Sequence, residues 1–499
     1  MCGGCPTPSF RSCLDDTHGP ASVQPAFRRH LPIRPASSRL QGLTTAALPF
    51  PRRLAGARQA ALAALAPALA GGAAAFYAAI SIFLHDRFAS DAYDLVIFDQ
   101  TIWGYSRFEI VPNTVKGVPN LLGDHFHPAL MALSPAYWIW DDARVLLVVQ
   151  ALLLAVASLP VFYWARPRLG SSGAVAVQVA FLAFWGLLAG AIFDFHELAL
   201  AVPAIAFGLY GLLERRVWLF WSMFALGCLC KEDVSLTFFA MGVYALVVQR
   251  RPRFALAVCS AALGWFALTV GAIIPAISGH RYHYWDYPSL GPSWTRAPLA
   301  LALRPWRAVT VLVDRSVKRH TLVALFGAWL FLPLASPLLL VALPTIAERF
   351  WAGNPAFWTT KFQYSLPLAP VLAFAAVDAA CRLRGRASRP AVFGALAASL
   401  LLSVAVVRPL AGLGHYMSAS RAAATDACLD RIPANAPVAA SGTLVPHLTH
   451  RAQVYRLGRE PGTAFLAVSG ADPGQIGYQV VCRGGDATVL KEDQPSIAS

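Results

Sequence analysis

Five acid and imidazole side chains follow the first long apolar run of the chain. YDLVIFDQTIWGY, residues 93–105, carries Asp94 and Asp99; LGDHFHP, residues 122–128, carries Asp124, His125 and His127. An aspartate beside a histidine is the pairing of a general base and the group that orients it. One carboxylate with two imidazoles also suits a divalent ion such as Zn²⁺ or Mn²⁺, which makes Asp124, His125 and His127 candidate metal ligands. FDFHE repeats the chemistry with Asp194, His196 and Glu197, and KED does so with Lys231, Glu232 and Asp233. Each cluster alone also fits a plainer reading: solvated loop acids, helix caps, a polar turn, or the charged end of a helix. Four clusters on one side of a membrane would be a different matter, since acid at that depth is unfavourable unless paired or used.

The elements that must position these residues are membrane spans. The chain of 499 residues is 57% hydrophobic and 13% charged, against about 25% charged for soluble domains. Several of its apolar segments approach the ~20 residues that cross the hydrocarbon core. The net charge of +15 sits in short arginine clusters between those segments: Arg52, Arg53 and Arg58; Arg166 and Arg168; Arg215 and Arg216; Arg250, Arg251 and Arg253; Arg382, Arg384 and Arg386. That placement is the cytoplasmic-loop bias that sets orientation, so the charge does not call for a nucleic-acid partner. Threaded on this rule, spans fall at 60–84, 144–165, 172–193, 198–213, 217–230, 234–249, 254–277, 365–381 and 391–407, with two short ones in 320–346 hinged at PLASP. The expectation is an all-α polytopic membrane protein of about eleven helices (residues 60–409), with a long outer loop at 85–143. Residues 1–59 are rich in Pro, Ser and Arg and are expected to be disordered. The tail, 410–499, has short β-type runs and a hairpin around Arg483 to Asp486, and is expected to form a small extracytoplasmic α/β domain. Cys428 and Cys482 both lie in it and are candidates for a disulfide.

YDLVIFDQTIW, GDHFHPAL, FDFHE, KEDVSL and QYSLPLAP, in this order, resemble a bacterial family of membrane proteins known as domain of unknown function 2079, over residues 75–465. That family is similar to the GT-C superfamily of membrane glycosyltransferases, which take sugars from lipid-phosphate donors. The resemblance implies a catalytic acid in the first outer loop, a role that falls on Asp94 with Asp99 second. It also implies an outer cavity roofed by interfacial helices, here about 90–107 and 126–140. Substrate contacts would come from Asp124, His125, Asp194, His196, Lys231, Glu232, Arg281 and Tyr364. The basic segment 278–320, with Arg281, Arg304, Arg307, Arg315, Lys318 and Arg319, could grip a lipid phosphate, or simply anionic headgroups.

The implied protein is a glycosyltransferase of the bacterial cytoplasmic membrane, with its active face and C-terminus outside. Its donor would be a polyprenyl-phosphate sugar and its other partners membrane lipids and an acceptor that the sequence does not name; a divalent cation is an optional cofactor. A transporter or flippase, and a non-catalytic membrane assembly protein, are the alternatives. Mutual distances discriminate: acids and histidines lining one outward cavity favour the enzyme, and residues scattered over a rim favour the scaffold.

Overall fold

A chain inside hydrocarbon must satisfy its backbone N–H and C=O groups internally, so apolar runs of membrane length become helices. The protein is represented by a computed structural model, which describes residues 52–383, 388–411, 416–459, 462–470 and 477–493. Among the described residues, Ala64–His85, Arg144–Ile192, Pro252–Ser278, Gln363–Arg382 and Ser388–Ala405 are long and apolar enough to cross a membrane. Three shorter apolar helices, Leu198–Leu213, Val217–Cys230 and Val234–Val247, coincide with expected spans. Gly170, at φ 74° and ψ 175°, breaks the long stretch between the two spans expected within it. Helix α1 (Arg52–His85) begins inside the segment expected to be disordered; residues 1–51 and the basic pair Arg384 and Arg386 lie outside the described residues.

Burial separates the helices. Leu368–Arg382 is central, with twelve of its fifteen residues buried. By contrast Leu256, Leu401 and Val404 are exposed apolar side chains on peripheral helices, as lipid-facing positions are. Residues 320–346 do not form two spans. A helix at Ser316–Gly327 gives way to tight turns at Leu332–Ala335 and Pro337–Ala342, then to the helix Leu343–Trp351. Pro333 and Pro337 supply no N–H, and each opens a turn where a helix would have had to continue.

The loop after the first span holds a second departure. Helix α2 (Leu95–Ser106) has eleven of its twelve residues buried, so protein covers the apolar face that the sequence assigned to membrane headgroups. The second expected roof helix is a short turn, Pro128–Leu133, followed by Pro135–Ile139, whose Trp138 and Ile139 are exposed.

The C-terminal region contains a five-stranded sheet in the order β2-β1-β3-β5-β4: β1 (Val438–Ala440), β2 (Val454–Arg456), β3 (Phe465–Ser469), β4 (Tyr478–Gly484) and β5 (Ala487–Glu492). β1 runs parallel to β2 and β3; β5 is antiparallel to both β3 and β4. Gly485 turns the β4–β5 hairpin at φ 57°, and a Cβ there would meet the Arg421 carbonyl and the Thr425 hydroxyl of the helix Ala419–Leu429. A disulfide between Cys428 and Cys482 ties that helix to β4, with Cα atoms 5.6 Å apart.

Candidate active site

The site is assembled at the junctions of helices. Asp94 caps α2 at φ 59° and ψ −86°, and Asp194 turns the chain after the helix Trp185–Ile192 at φ 54°. Both are in the left-handed region, where a non-glycine residue stores about 1–3 kcal/mol and where functional sites concentrate. Gln150, inside an apolar helix, fixes the FDFHE turn: its amide donates to the Asp194 carbonyl at 2.8 Å, and its oxygen accepts from the His196 N–H at 3.1 Å.

From that turn a chain of charges crosses the protein. His196 Nε2 is 3.7 Å from Asp94 Oδ1, and its Nδ1 is 2.8 Å from Glu197 Oε2. Lys231 Nζ is 3.2 Å from Glu197 Oε1 and 3.8 Å from Asp233 Oδ2. Three separate junctions therefore meet: the loop after the first span, FDFHE and KED. Burial pushes the Asp94 carboxyl above the usual carboxylate range, against the pull of His196 and with help from Glu197. Burial would also raise Glu197, but His196 and Lys231 hold it well below that range. Two neighbouring acids thus have opposed protonation tendencies, the pattern that separates a proton acceptor from a fixed charge.

A second network braces the opposite wall. Glu232 is fully buried, with His125 Nδ1 2.7 Å from Oε1, the Phe126 N–H donating to Oε2 at 3.2 Å and the Tyr282 hydroxyl donating to Oε1 at 3.0 Å. Burial opposes the charge of Glu232, yet His125 holds it down at about 2. Asp124 takes Lys116 at 3.1 Å and the Tyr284 hydroxyl at 2.5 Å, and Tyr284 stacks on His125 at 4.2 Å. These contacts pin the aromatic segment 282–287 at one end. At its other end Asp286 accepts N–H bonds from Gly353 and Asn354, each at 2.8 Å.

Between the two walls lies a cavity of about 570 Å³. Of the expected site residues, Asp94, Asp124, His125, His127, His196, Lys231 and Tyr364 line it, and Glu232 stands directly behind His125 and Tyr282. Three do not reach it. Asp99 is fully buried against Tyr137 and His450 on the other side of α2. Asp194 turns back to accept the Asp91 N–H at 3.2 Å, and burial pushes it up to about 8. Arg281 is exposed and outside the lining. The expected ligand set does not converge either: Asp124 is held by Lys116 and Tyr284, His125 by Glu232, and burial keeps His127 neutral, at about 4. Among the described residues no three His, Cys, Asp or Glu side chains are placed to hold an ion. Of the basic segment, Lys318 is used internally, bonding the Val311 carbonyl at 2.8 Å and Asp314 at 2.9 Å.

Sequence reasoning missed Lys116, Asp286 and Glu348 in the lining, and the aromatic wall itself. RYHYWDY, residues 281–287, was a visible signal: four aromatic rings and an acid in a segment too polar to span. Lys116 and Glu348 had none. Burial and Asp233 beside it push the Glu348 carboxyl well above the usual carboxylate range.

The family model described as "Predicted membrane protein (DUF2079)" matches residues 84–465. The chain belongs to that family. No curated protein matches this DUF2079 member. Among solved structures it is similar to ArnT from Cupriavidus metallidurans bound to undecaprenyl phosphate, at 14% identity, with 85% of this chain and 98% of that one covered and a TM-score of 0.48. It is also similar to ArnT from Cupriavidus metallidurans in the apo state, at 12% identity, 84% and 98% coverage and a TM-score of 0.47.

Proposed function

We propose that the cavity is the active site of an inverting membrane glycosyltransferase that takes a sugar from a polyprenyl-phosphate donor on the extracytoplasmic side. In this reading Asp94 accepts the proton of an acceptor hydroxyl. The hydroxyl oxygen bonds to the anomeric carbon, the bond from that carbon to the donor phosphate oxygen breaks, and the electron pair leaves with the phosphate. The observation that carries the reading is Asp94 itself: strained, 23% exposed, facing the cavity, and raised in proton affinity toward the range in which a base works. Tyrosine and tryptophan faces with carboxylates between them suit a polyhydroxylated ring. Lys116 and Lys231 are the cations in the lining that can meet a departing phosphate. The arginine clusters and the disulfide support placing this side and the tail outside the cytoplasm.

Six acids line the cavity against those two lysines, so an anionic donor enters most easily with some acids protonated or with a divalent cation. The test is transfer of labelled sugar from polyprenyl-phosphate donors by purified protein in lipid nanodiscs, with and without chelator. Asp94→Asn is expected to lower turnover by at least ~10²-fold. Full turnover in that variant would remove Asp94 from the role.

A further inference from the structure

His450 is the point at which the C-terminal region meets α2. Its Nε2 is 3.2 Å from Asp99 Oδ2, and its Nδ1 is 3.2 Å from Asp141 Oδ1. The hydrogen bond runs from Nε2 to Asp99 Oδ1 at 3.3 Å; a carboxylate beside each ring nitrogen favours the imidazolium, the form in which both nitrogens carry a proton. Tyr137 closes the group by donating to Asp99 Oδ1 at 2.5 Å, and Trp103 stacks against His450 at 5.8 Å. The remaining charges that face this ring are Asp142, beside Asp141, and Arg107, whose guanidinium is 2.9 Å from Asp141 Oδ2 and 4.1 Å over the Trp103 ring. Backbone contacts run alongside: Gln100 donates to the carbonyls of Arg451 and Ala452 at 3.3 and 3.2 Å, and the Val454 N–H donates to Thr114 at 3.1 Å.

Asp94 and Asp99 belong to the same short element, one at the cap and one within the helix. The cap opens to the cavity; the helix interior is held by the tail. The loop grips α2 as well, through buried Asn113, whose amide donates to the Ile97 carbonyl at 2.7 Å and to the Thr101 hydroxyl at 3.0 Å; from the tail, the ionic contact to α2 is that of His450 with Asp99. We infer that the C-terminal domain is a positioning element for Asp94, and that protonated His450, clasped between Asp99 and Asp141, is the positioning residue through which it acts. The consequence for turnover rests on Asp94 being the base; the clasp itself does not.

The sign of the pH response follows from the surroundings. Burial alone would lower His450, but Asp99 and Asp141 raise it above its ordinary 6.5. A group raised in the folded state contributes fully below its unfolded value and loses its contribution as pH climbs through the folded value. Asp99, which burial would raise, is held below the usual carboxylate range by His450, so it stays charged across that interval. The clasp is therefore tight at mildly acid pH and loosens on the alkaline side.

Hydrogen exchange of the amides in Leu95–Ser106, read on the full chain in nanodiscs without substrate, tests this. After correction for intrinsic rates, wild-type exchange is expected to be about tenfold faster at about pH 8.5 than at about pH 6. His450→Gln should exchange fast at both and lose the pH dependence. In a transfer assay the same variant should lose about tenfold in kcat with little change in KM for the donor. Wild-type protection of α2 in His450→Gln would overturn the inference. Should that variant fail to fold, Asp141→Asn, at a half-exposed site, is expected to weaken protection in the same direction, and unchanged protection there would overturn it equally. Absence of transfer by the wild type would sink the glycosyltransferase reading while leaving exchange to decide the clasp.

Discussion

Asp94 and Glu232 show how the same carboxyl group is set to opposite tasks by its neighbours. The carboxyl of Asp94 is raised by burial, so the folded state holds its proton more tightly than the unfolded chain does. Stability is then lost as pH rises through that carboxyl's range. Asp94→Asn is accordingly expected to melt at a higher temperature than wild type near neutral pH while losing transfer, a trade of stability against function. Wild-type turnover, in turn, should fall as pH drops through the Asp94 value, because a protonated carboxyl accepts nothing. Glu232 runs the other way. Held at about 2 by His125, it contributes above its ordinary 4.5 and loses that contribution as pH falls toward about 2. Glu232→Gln should destabilise the protein by roughly 3 kcal/mol at neutral pH, since it strands His125 and Tyr282. The difference from wild type should shrink as pH falls below about 4.5 and close only near about pH 2. Thermal unfolding of the two proteins in detergent across that range would show whether it does.

Elements meet at this site through close backbone approach. Gly123 immediately precedes Asp124, and a Cβ on it would lie 2.9 Å from the Ser278 backbone nitrogen and 3.0 Å from its Cα. Backbone cannot swing away as a flexible side chain can, so the loop bearing Asp124 and the start of the segment bearing Tyr282 and Tyr284 would have to separate. Gly123→Ala should therefore weaken folding by about 1–3 kcal/mol and weaken donor binding more than Asp94→Asn does, measured as KM against kcat. α2 teaches a related lesson. Tyr93, Ile97, Phe98 and Trp103 suggested a helix with one face on the membrane, yet the tail and the FDFHE turn cover it from both sides. Amphipathic spacing reports that a face is buried; it does not report what buries it.

At the scale of the whole molecule, the charged groups of the site gather at the helix junctions on one end of an apolar bundle, while Arg168 and Glu214, paired at 2.9 Å, mark expected cytoplasmic turns. The C-terminal region packs on the site end through His450, Gln100 and Thr114, and through His447, which stacks on Phe88 at 3.8 Å. Its own integrity depends partly on the Cys428–Cys482 bond, which closes a separation of 54 residues. Reduction, or Cys428→Ser with Cys482→Ser, is expected to destabilise this region by about 2–4 kcal/mol. Limited proteolysis should then cut the tail first, and loss of protection should spread to α2.

The amino-acid sequence by itself determined the helical character of the bundle, the sheet-bearing tail and the acid–histidine clusters. These follow from local properties: the length of apolar runs, the placement of arginine, and turn chemistry between short β-type segments. What tertiary structure alone decided was which polar groups share a space. Asp94 and Asp99 stand five positions apart on one short stretch and were first and second candidates for one role, but the first opens on the cavity and the second is sealed against a histidine 351 positions away. Lys116 and Glu348 became site residues the same way. The physical reason is that a charge near a membrane is tolerated only with a partner, and partners are chosen across space, between helix ends that the linear order keeps apart.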